Sequence, residues 1–414
     1  MSALVTDARG NHALATIRSL GRRGIHVTAA DSVPWAKGLY SRYCRTRASY
    51  PCPSEDLAGF QRALLGILDT ARPRVLMPMT ERAILAILEA RAEIEARCTL
   101  APMPDETMLR TAFDKRETMA LAESLGIATP RTVCPEGPED VARAAAGFTF
   151  PVVVKPRTSE VRTPDGRIVP SGRVAYCAGP DDLAVKYAAV HRQSARPLIQ
   201  EFVPGDGYGV SVLYRQGRMR ALFAYRRLRM VHPTGSGSAL RESIAPPPVM
   251  VEAALKLLDT LRWHGVAMVE FKLDRRDGRP RLMEINGRFW NSLPLAVAAG
   301  VDFPWMLYRL ATEGDVPECV DYRVGVQARW LVGDCRHLVE VMRGRPAGWT
   351  DDFPERGRTA CDFLRFFDRN LHYDVESLTD PLPAVADVAD VVLQSLATAR
   401  ARQRRRAARE IQHV

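Results

Sequence analysis

GVAMVEFKLDRRDGRPRLMEINGRFWNS, residues 265–292, carries two alternating apolar runs on either side of the polar turn Arg275-Arg276-Asp277-Gly278. This alternation predicts an antiparallel pair of strands. With Glu270 opposite Glu284, Leu273 falls opposite Arg281 and Asp274 to Pro280 form the connecting loop. Side chains alternate along a strand, so that register places Glu270, Glu284 and Asn286 on one face. Lone glutamates on a hairpin are ordinarily a solvated face. Here Val269, Phe271, Met283 and Ile285 mark both strands as core. An acidic row on a core sheet needs a partner, and a cation serves best. Two carboxylates and an amide are hard oxygen donors, suited to Mg²⁺ bridging nucleotide phosphates.

Glu270 in VEFK, followed by Glu284-Ile285-Asn286-Gly287-Arg288, resembles the metal-binding end of the ATP-grasp superfamily. The resemblance is to the ATP-binding domains of the carboxylate–amine ligase, carbamoyl-phosphate synthase and biotin carboxylase types. It implies that Glu270, Glu284 and Asn286 hold two Mg²⁺ ions on the β- and γ-phosphates of ATP, with Mn²⁺ as a possible substitute. It also implies that Arg288 faces the γ-phosphate and an acyl phosphate. Two lysines are then expected upstream. Lys115 opens TAFDKRETMALAESLGIATPRT, where Met119, Leu121 and Leu125 predict a helix that stops at Gly126 before Pro130. Lys155 follows the apolar run Val152-Val153-Val154 in FPVVVKPR, at the exit of a buried strand. A lysine so placed acts as a point charge on phosphate oxygens.

The stretch Pro197 to Gly205, PLIQEFVPG, resembles the hinge strand whose backbone meets the adenine edge. Glu201 is then expected near the adenine amino group, with Phe202 and Val203 giving backbone contacts. Val153 and Leu282 are expected as walls around the base, plain core packing being the alternative. The chain departs from the family pattern after the hinge. Gly207-Tyr208-Gly209-Val210-Ser211 lacks the usual acidic residue for the ribose, which leaves Asp206 as the candidate. The phosphate lid, RTSEVRTPDGRIVPSGR from Arg157 to Arg173, is long and basic, with Ser171 and Gly172 as its phosphate contacts. Mobile small residues suit such a lid. Downstream, Arg241 follows a turn-rich loop; the resemblance implies a guanidinium fork for a substrate carboxylate there, an exposed loop arginine being the alternative.

The chain of 414 residues is 46% hydrophobic, enough for two or three cores. Residues 1–104 read as a βαβ preceding domain with a small parallel sheet, 105–312 as the ATP-grasp catalytic domain, and 313–414 as a C-terminal extension. The expected class is therefore mixed α/β and α+β. The first strand leads into Asp7-Ala8-Arg9-Gly10, but no G-x-G-x-x-G follows, so dinucleotide binding is not expected. Eight cysteines without a C-x-x-C pair support neither a zinc site nor a disulfide framework and fit a reducing cytoplasm. No signal peptide and no apolar run of membrane-spanning length are read. The net charge of +10 owes much to the arginines at 400, 402 and 404–406, read as a solvated tail rather than a nucleic-acid site.

The expected activity is ATP-dependent joining of a small-molecule carboxylate to an amine through an acyl phosphate, releasing ADP and phosphate, with no nucleic-acid or membrane partner and with a homodimer as one assembly open to it. The alternatives are an ATP-grasp carboxylase or kinase with another acceptor, or a non-enzymatic nucleotide-binding or scaffold protein.

Overall fold

The computed structural model describes residues 1–396. The basic run from Arg400 to Arg406 lies outside them. The first sheet contains β1 (Ser2–Val5), β2 (His26–Asp31), β3 (Cys44–Ser49), β4 (Val75–Met77) and β5 (Thr99–Leu100), all parallel, in the order β3-β2-β1-β4-β5. Apolar residues on both faces of its central strands make this a two-sided core. Leu4 and Leu76 face the helices Leu57–Ala71 and Glu81–Leu88. Ala3, Val5, Val75 and Met77 face the helix Asn11–Arg22 and share one core with Leu293–Ala299 and Phe303–Glu313. The sheet is thereby fixed to the rest of the chain through these two helices.

A second sheet holds β6 (Thr132–Val133), β7 (Val152–Lys155), β10 (Ala175–Cys177) and β11 (Leu198–Glu201), in the order β10-β7-β11-β6, under the helix Pro180–His191. Between β7 and β10, β8 (Glu160–Arg162) and β9 (Ile168–Pro170) form a separate hairpin. This hairpin is the central part of the segment expected to be a loose lid. It is docked instead: Arg82 Nε and Nη2 donate to Glu160 at 3.0 and 2.9 Å, and Ile168 is buried in the first sheet's core.

The largest sheet runs β16-β15-β12-β13-β14-β17-β18. Its strands are β12 (Gly205–Arg215), β13 (Arg218–Arg229), β14 (Leu240–Ser243), β15 (Gly265–Asp274), β16 (Pro280–Asn286), β17 (Gln327–Arg329) and β18 (Leu371–Tyr373). Val210, Val212, Val269 and Phe271 pack under the helices Glu106–Phe113, Lys115–Ser124 and Pro248–Thr260. The last two strands carry the sheet beyond residue 312, so the C-terminal segment is part of the largest sheet.

That segment also acts as an ionic strap. Asp374 accepts from Arg241 Nη2 through both oxygens, at 2.8 and 2.7 Å, and from Asn11 Nδ2 at 2.9 Å. Asp380 accepts from Arg18 Nε at 2.9 Å, Asp387 pairs with Lys37 Nζ at 2.7 Å, and Asp390 with Arg9 Nε at 2.7 Å. The helix over residues 382–396 carries an apolar stripe of Val388, Val392 and Leu396. These are 55, 51 and 50% exposed, while Ala386, Asp387 and Asp390 are buried. Pairing two aspartates with cations of the N-terminal domain sets the helix's rotation in preference to its apolar stripe.

Breaking a buried ion pair on one side leaves the other charge uncompensated, at a cost of about 3–5 kcal/mol. Asp374→Ala should therefore lower the unfolding free energy by about that amount, and Arg241→Met with Asp374→Leu should recover most of it. Urea unfolding of the three proteins checks this; a single-variant loss below about 1 kcal/mol, the range of an exposed pair, would contradict the strap.

Candidate active site

The site is built on the β15/β16 hairpin. Glu270 pairs opposite Glu284 and Met268 opposite Asn286, as the alternation requires. The register slips between Glu270 and Phe271, so Phe271 faces Leu282 and Leu273 faces Pro280, not Arg281. Met283 is the extra residue, a bulge that bends the strand beside the carboxylates. The connecting loop shortens to residues 275–279.

Glu270, Glu284 and Asn286 do converge. Asn286 Nδ2 lies 3.4 Å from Glu270 Oε1 and 3.2 Å from Glu284 Oε1. Burial pushes both carboxyls up. At Glu284 the ammoniums of Lys115 and Lys155 outweigh burial and hold it below the usual range. At Glu270 burial prevails over Arg227, with the neighbouring Glu284 adding to the rise. Among the described residues no three His, Cys, Asp or Glu side chains gather around one point, so the third donor here is an amide. Two carboxylates held side by side with a rotatable amide oxygen fit Mg²⁺.

The two lysines arrive from different elements. Asp114 caps the helix Lys115–Ser124, its side chain accepting from the backbone of Arg116 and Glu117, and so fixes Lys115 in the first turn. Lys115 Nζ is 3.6 Å from Glu284 Oε2. Lys155 leaves the end of β7, and its Nζ donates to Gln200 Oε1 on the adjacent β11 at 2.7 Å. Burial lowers its pKa to about 8. Arg288 donates to the carbonyl of Phe289 at 2.8 Å, and its charge reaches Glu270 and Glu284.

At the hinge, Glu201 ends β11 and its backbone N–H donates to Arg131 O at 2.9 Å. Phe202 lies edge-on to Tyr176 at 4.9 Å and near Trp349 at 6.0 Å. Trp349 comes from the C-terminal segment, which thus reaches the expected base site. A cleft of about 320 Å³ beside the hinge is lined by Glu201, Phe202, Pro204, Arg276 and Asp351. Lys272 Nζ donates to the Val203 carbonyl at 2.6 Å and sits 4.9 Å over the Phe202 ring. Each carbonyl oxygen keeps a second lone pair for a ligand.

Several expected residues sit elsewhere. Arg241 is 1% exposed and committed to Asp374, so its fork serves the protein's own carboxylate and not a substrate's. Leu282 is wholly buried in the core with Phe271 and Ile285, which favours the packing alternative; Val153 is buried on β7. Ser171 is fully buried, with its hydroxyl 3.5 Å from Thr158 Oγ1, facing its own loop. Gly172 adopts φ +106°, and a Cβ there would meet Gln193 Oε1 at 2.5 Å, so glycine is needed for the turn itself. Asp206 is exposed and opposite Leu273.

Arg227 was missed. It reaches from β13 across β12 to Glu270 Oε2 at 2.5 Å. Gly207 and Gly209 leave the crossing bare: a Cβ at Gly207 would lie 3.0 Å from Arg227 Cδ, and one at Gly209 2.2 Å from Tyr225 Cε1. The alternating glycines of Gly207-Tyr208-Gly209 were the available signal, since glycine inside a strand marks close approach.

Solved structures share this arrangement of sheets. The biotin carboxylase domain of Hydrogenobacter thermophilus 2-oxoglutarate carboxylase, solved with MgADP and bicarbonate, superposes with a TM-score of 0.61 at 16% identity, over 79% of this chain and 73% of that one. The N5-carboxyaminoimidazole synthetase of Staphylococcus aureus, complexed with ADP, gives 0.60 at 13% identity, over 79% and 80%. The family described as "ATP-grasp in the biosynthetic pathway with Ter operon" matches residues 193–333, which include the hinge, both glutamates, Asn286 and Arg288. Over those residues the chain matches an ATP-grasp family, and the solved structures share the fold. The L-amino acid ligase of Bacillus licheniformis has the same ATP-grasp fold, with a TM-score of 0.56 at 17% identity over 75% and 73% of the two chains. A D-alanine–D-alanine ligase of Albidiferax ferrireducens is 28% identical over 212 residues, 47% of this chain. The chain spans only 58% of that relative's length.

The lowered pKa of Lys155 gives a pH signature. Above about pH 8 the free protein holds Lys155 largely neutral. Polyphosphate bound beside it restores the proton, so ATP binding should take up a proton above that pH and none near pH 6.5. Calorimetry at pH 9 in two buffers of different ionisation enthalpy should report uptake that shrinks in Lys155→Arg. Equal heats after correction in both proteins would place Lys155 away from the phosphates.

Proposed function

We propose that this protein is an ATP-dependent carboxylate–amine ligase. The observation that carries the reading is the convergence of Glu270, Glu284 and Asn286 with Lys115, Lys155 and Arg288 at one edge of the large sheet. The substrate carboxylate attacks the γ-phosphorus of ATP, giving an acyl phosphate and ADP; an amine then displaces phosphate and forms the amide. Such phosphoryl transfer depends on positioning and charge neutralisation more than on a side-chain nucleophile. Lys155 and Lys115 orient the transferred phosphoryl group, and Arg288 stabilises charge on it as it leaves ADP. Glu270, Glu284 and Asn286 would hold magnesium, which would supply positive charge against the nucleotide's phosphates. Arg227 holds Glu270 in place from behind, while the hinge around Glu201 to Val203 and the ring of Phe202 position the base.

Similarity to a D-alanine–D-alanine ligase and to an L-amino acid ligase supports C–N bond formation as the reaction class. No helix among the described residues is long and apolar enough to cross a membrane, in keeping with a cytoplasmic site of action on small-molecule substrates.

An ADP-release screen across amino acids and small amines, with mass detection of product, tests the reading: ADP should appear only with a carboxylate, and amide only when an amine is added. ADP formed at equal rates without any carboxylate would refute it. Glu284→Gln should keep its fold and lose turnover by on the order of 10²-fold or more, the scale of removing one transition-state charge stabiliser. Near-normal ADP production by that variant would dismiss the hairpin as the metal site.

A further inference from the structure

Two side chains of the N-terminal domain each bury one polar atom without a partner, and the ligase reaction as proposed does not use them. His12 is 6% exposed and Glu81 7% exposed. His12 Nε2 and Glu81 Oε1 are fully enclosed and accept no hydrogen bond. Leaving such atoms unsatisfied is costly unless something else completes them.

Their placement follows from the topology. His12 lies in the first turn after β1, and Glu81 in the first turn after β4. In the order β3-β2-β1-β4-β5 the chain leaves β1 on one side and fills β4 and β5 on the other, so β1 and β4 flank the switch point. Ligands of open parallel sheets bind in the crevice at the carboxyl ends of such strands. The charge of Arg288 reaches both His12 and Glu81, and that of Lys115 and Glu284 reaches Glu81.

The chemistry of the unpartnered atoms is one-sided. His12 Nδ1 lies 2.9 Å from Asn291 Oδ1, and an amide oxygen only accepts, so Nδ1 carries the hydrogen. Burial, then Arg288, lowers the His12 pKa to about 4 against the opposing pull of Asn291 and the Met79 backbone, so the ring is neutral, and with Nδ1 donating to Asn291 its Nε2 is left to accept. A carboxylate oxygen likewise only accepts. Burial raises Glu81 to about 7 against the pull of Arg288 and Lys115. Both groups therefore call for a donor, and one that can give up a proton.

We infer that His12 and Glu81 form the site for the acceptor amine, bound as an ammonium, with Glu81 taking its first proton. This rests on the ligase reading above. In the balanced step the ammonium gives one proton to the Glu81 carboxylate, and the nitrogen lone pair attacks the acyl carbon. The C–N bond forms, and the C–O bond to phosphorus breaks with its electron pair on phosphate. The second nitrogen proton leaves with phosphate as HPO₄²⁻.

Hydroxylamine separates the two halves, because it is a neutral nucleophile at pH 7 and needs no deprotonation. Wild-type protein is given ATP, Mg²⁺ and each of the common amino acids in turn, first with hydroxylamine and then with each amino acid as amine. At least one should yield a hydroxamate, and a subset of pairs an amide. In Glu81→Gln, amide formation should fall by on the order of 10²-fold, the contribution of a positioned base, and hydroxamate formation by less than about threefold. The melting-temperature rise on adding ATP and Mg²⁺ reports that the variant is folded. His12→Phe gives a second reading: the amine KM should rise about tenfold or more, as for losing a hydrogen bond to a charged group. Hydroxamate with no selective loss of amide in either variant overturns this assignment and leaves the ligase reading standing. Absence of hydroxamate from every wild-type reaction overturns the ligase reading, and this inference with it.

Discussion

Two carboxylates held directly opposite each other on neighbouring strands repel, and the local structure is organised around that repulsion. Like charges in cross-strand pairs destabilise a sheet. Glu270 and Glu284 occupy such a pair because the register leaves no other face open to them. Cations from four separate elements converge in response: Arg227 from β13, Lys115 from a helix start, Lys155 from the end of β7, and Arg288 from just beyond β16. Without a metal these groups hold the pair together. With nucleotide phosphates present, the same cations are already in position to receive negative charge.

How much of this was legible depends on range. The hairpin could be read because its alternation and polar turn are local, and the Glu270–Glu284 pairing followed. The Met283 bulge could not, since Leu282, Met283 and Ile285 are all apolar and nothing marks the extra residue. Arg241 shows the harder limit. A guanidinium fork matches a substrate carboxylate and a protein carboxylate equally well. Its partner Asp374 is 133 positions away, a separation that no pattern in one chain reveals.

The N-terminal domain illustrates a different loss. Its parallel sheet was legible in the alternation of strands and helices over residues 1–104. The short strands β3 and β5 went unread, and with them the strand order. Without that order, His12 is only the second residue of a helix and Glu81 only an acid in a first turn. The crevice between them becomes visible when β1 and β4 are seen side by side.

The ionic strap has a further consequence, for the path by which the chain folds. Arg9 meets Asp390 across 381 positions, and Arg18 meets Asp380 across 362. Contacts of such separation close the largest loops the chain can make, and that entropy is spent before the contact repays it. During synthesis the N-terminal sheet emerges first, with Arg9, Arg18 and Lys37 still lacking their aspartates. Docking of residues 374–390 is therefore the closing event of folding: it settles the N-terminal domain against a catalytic sheet whose central strands have long since paired.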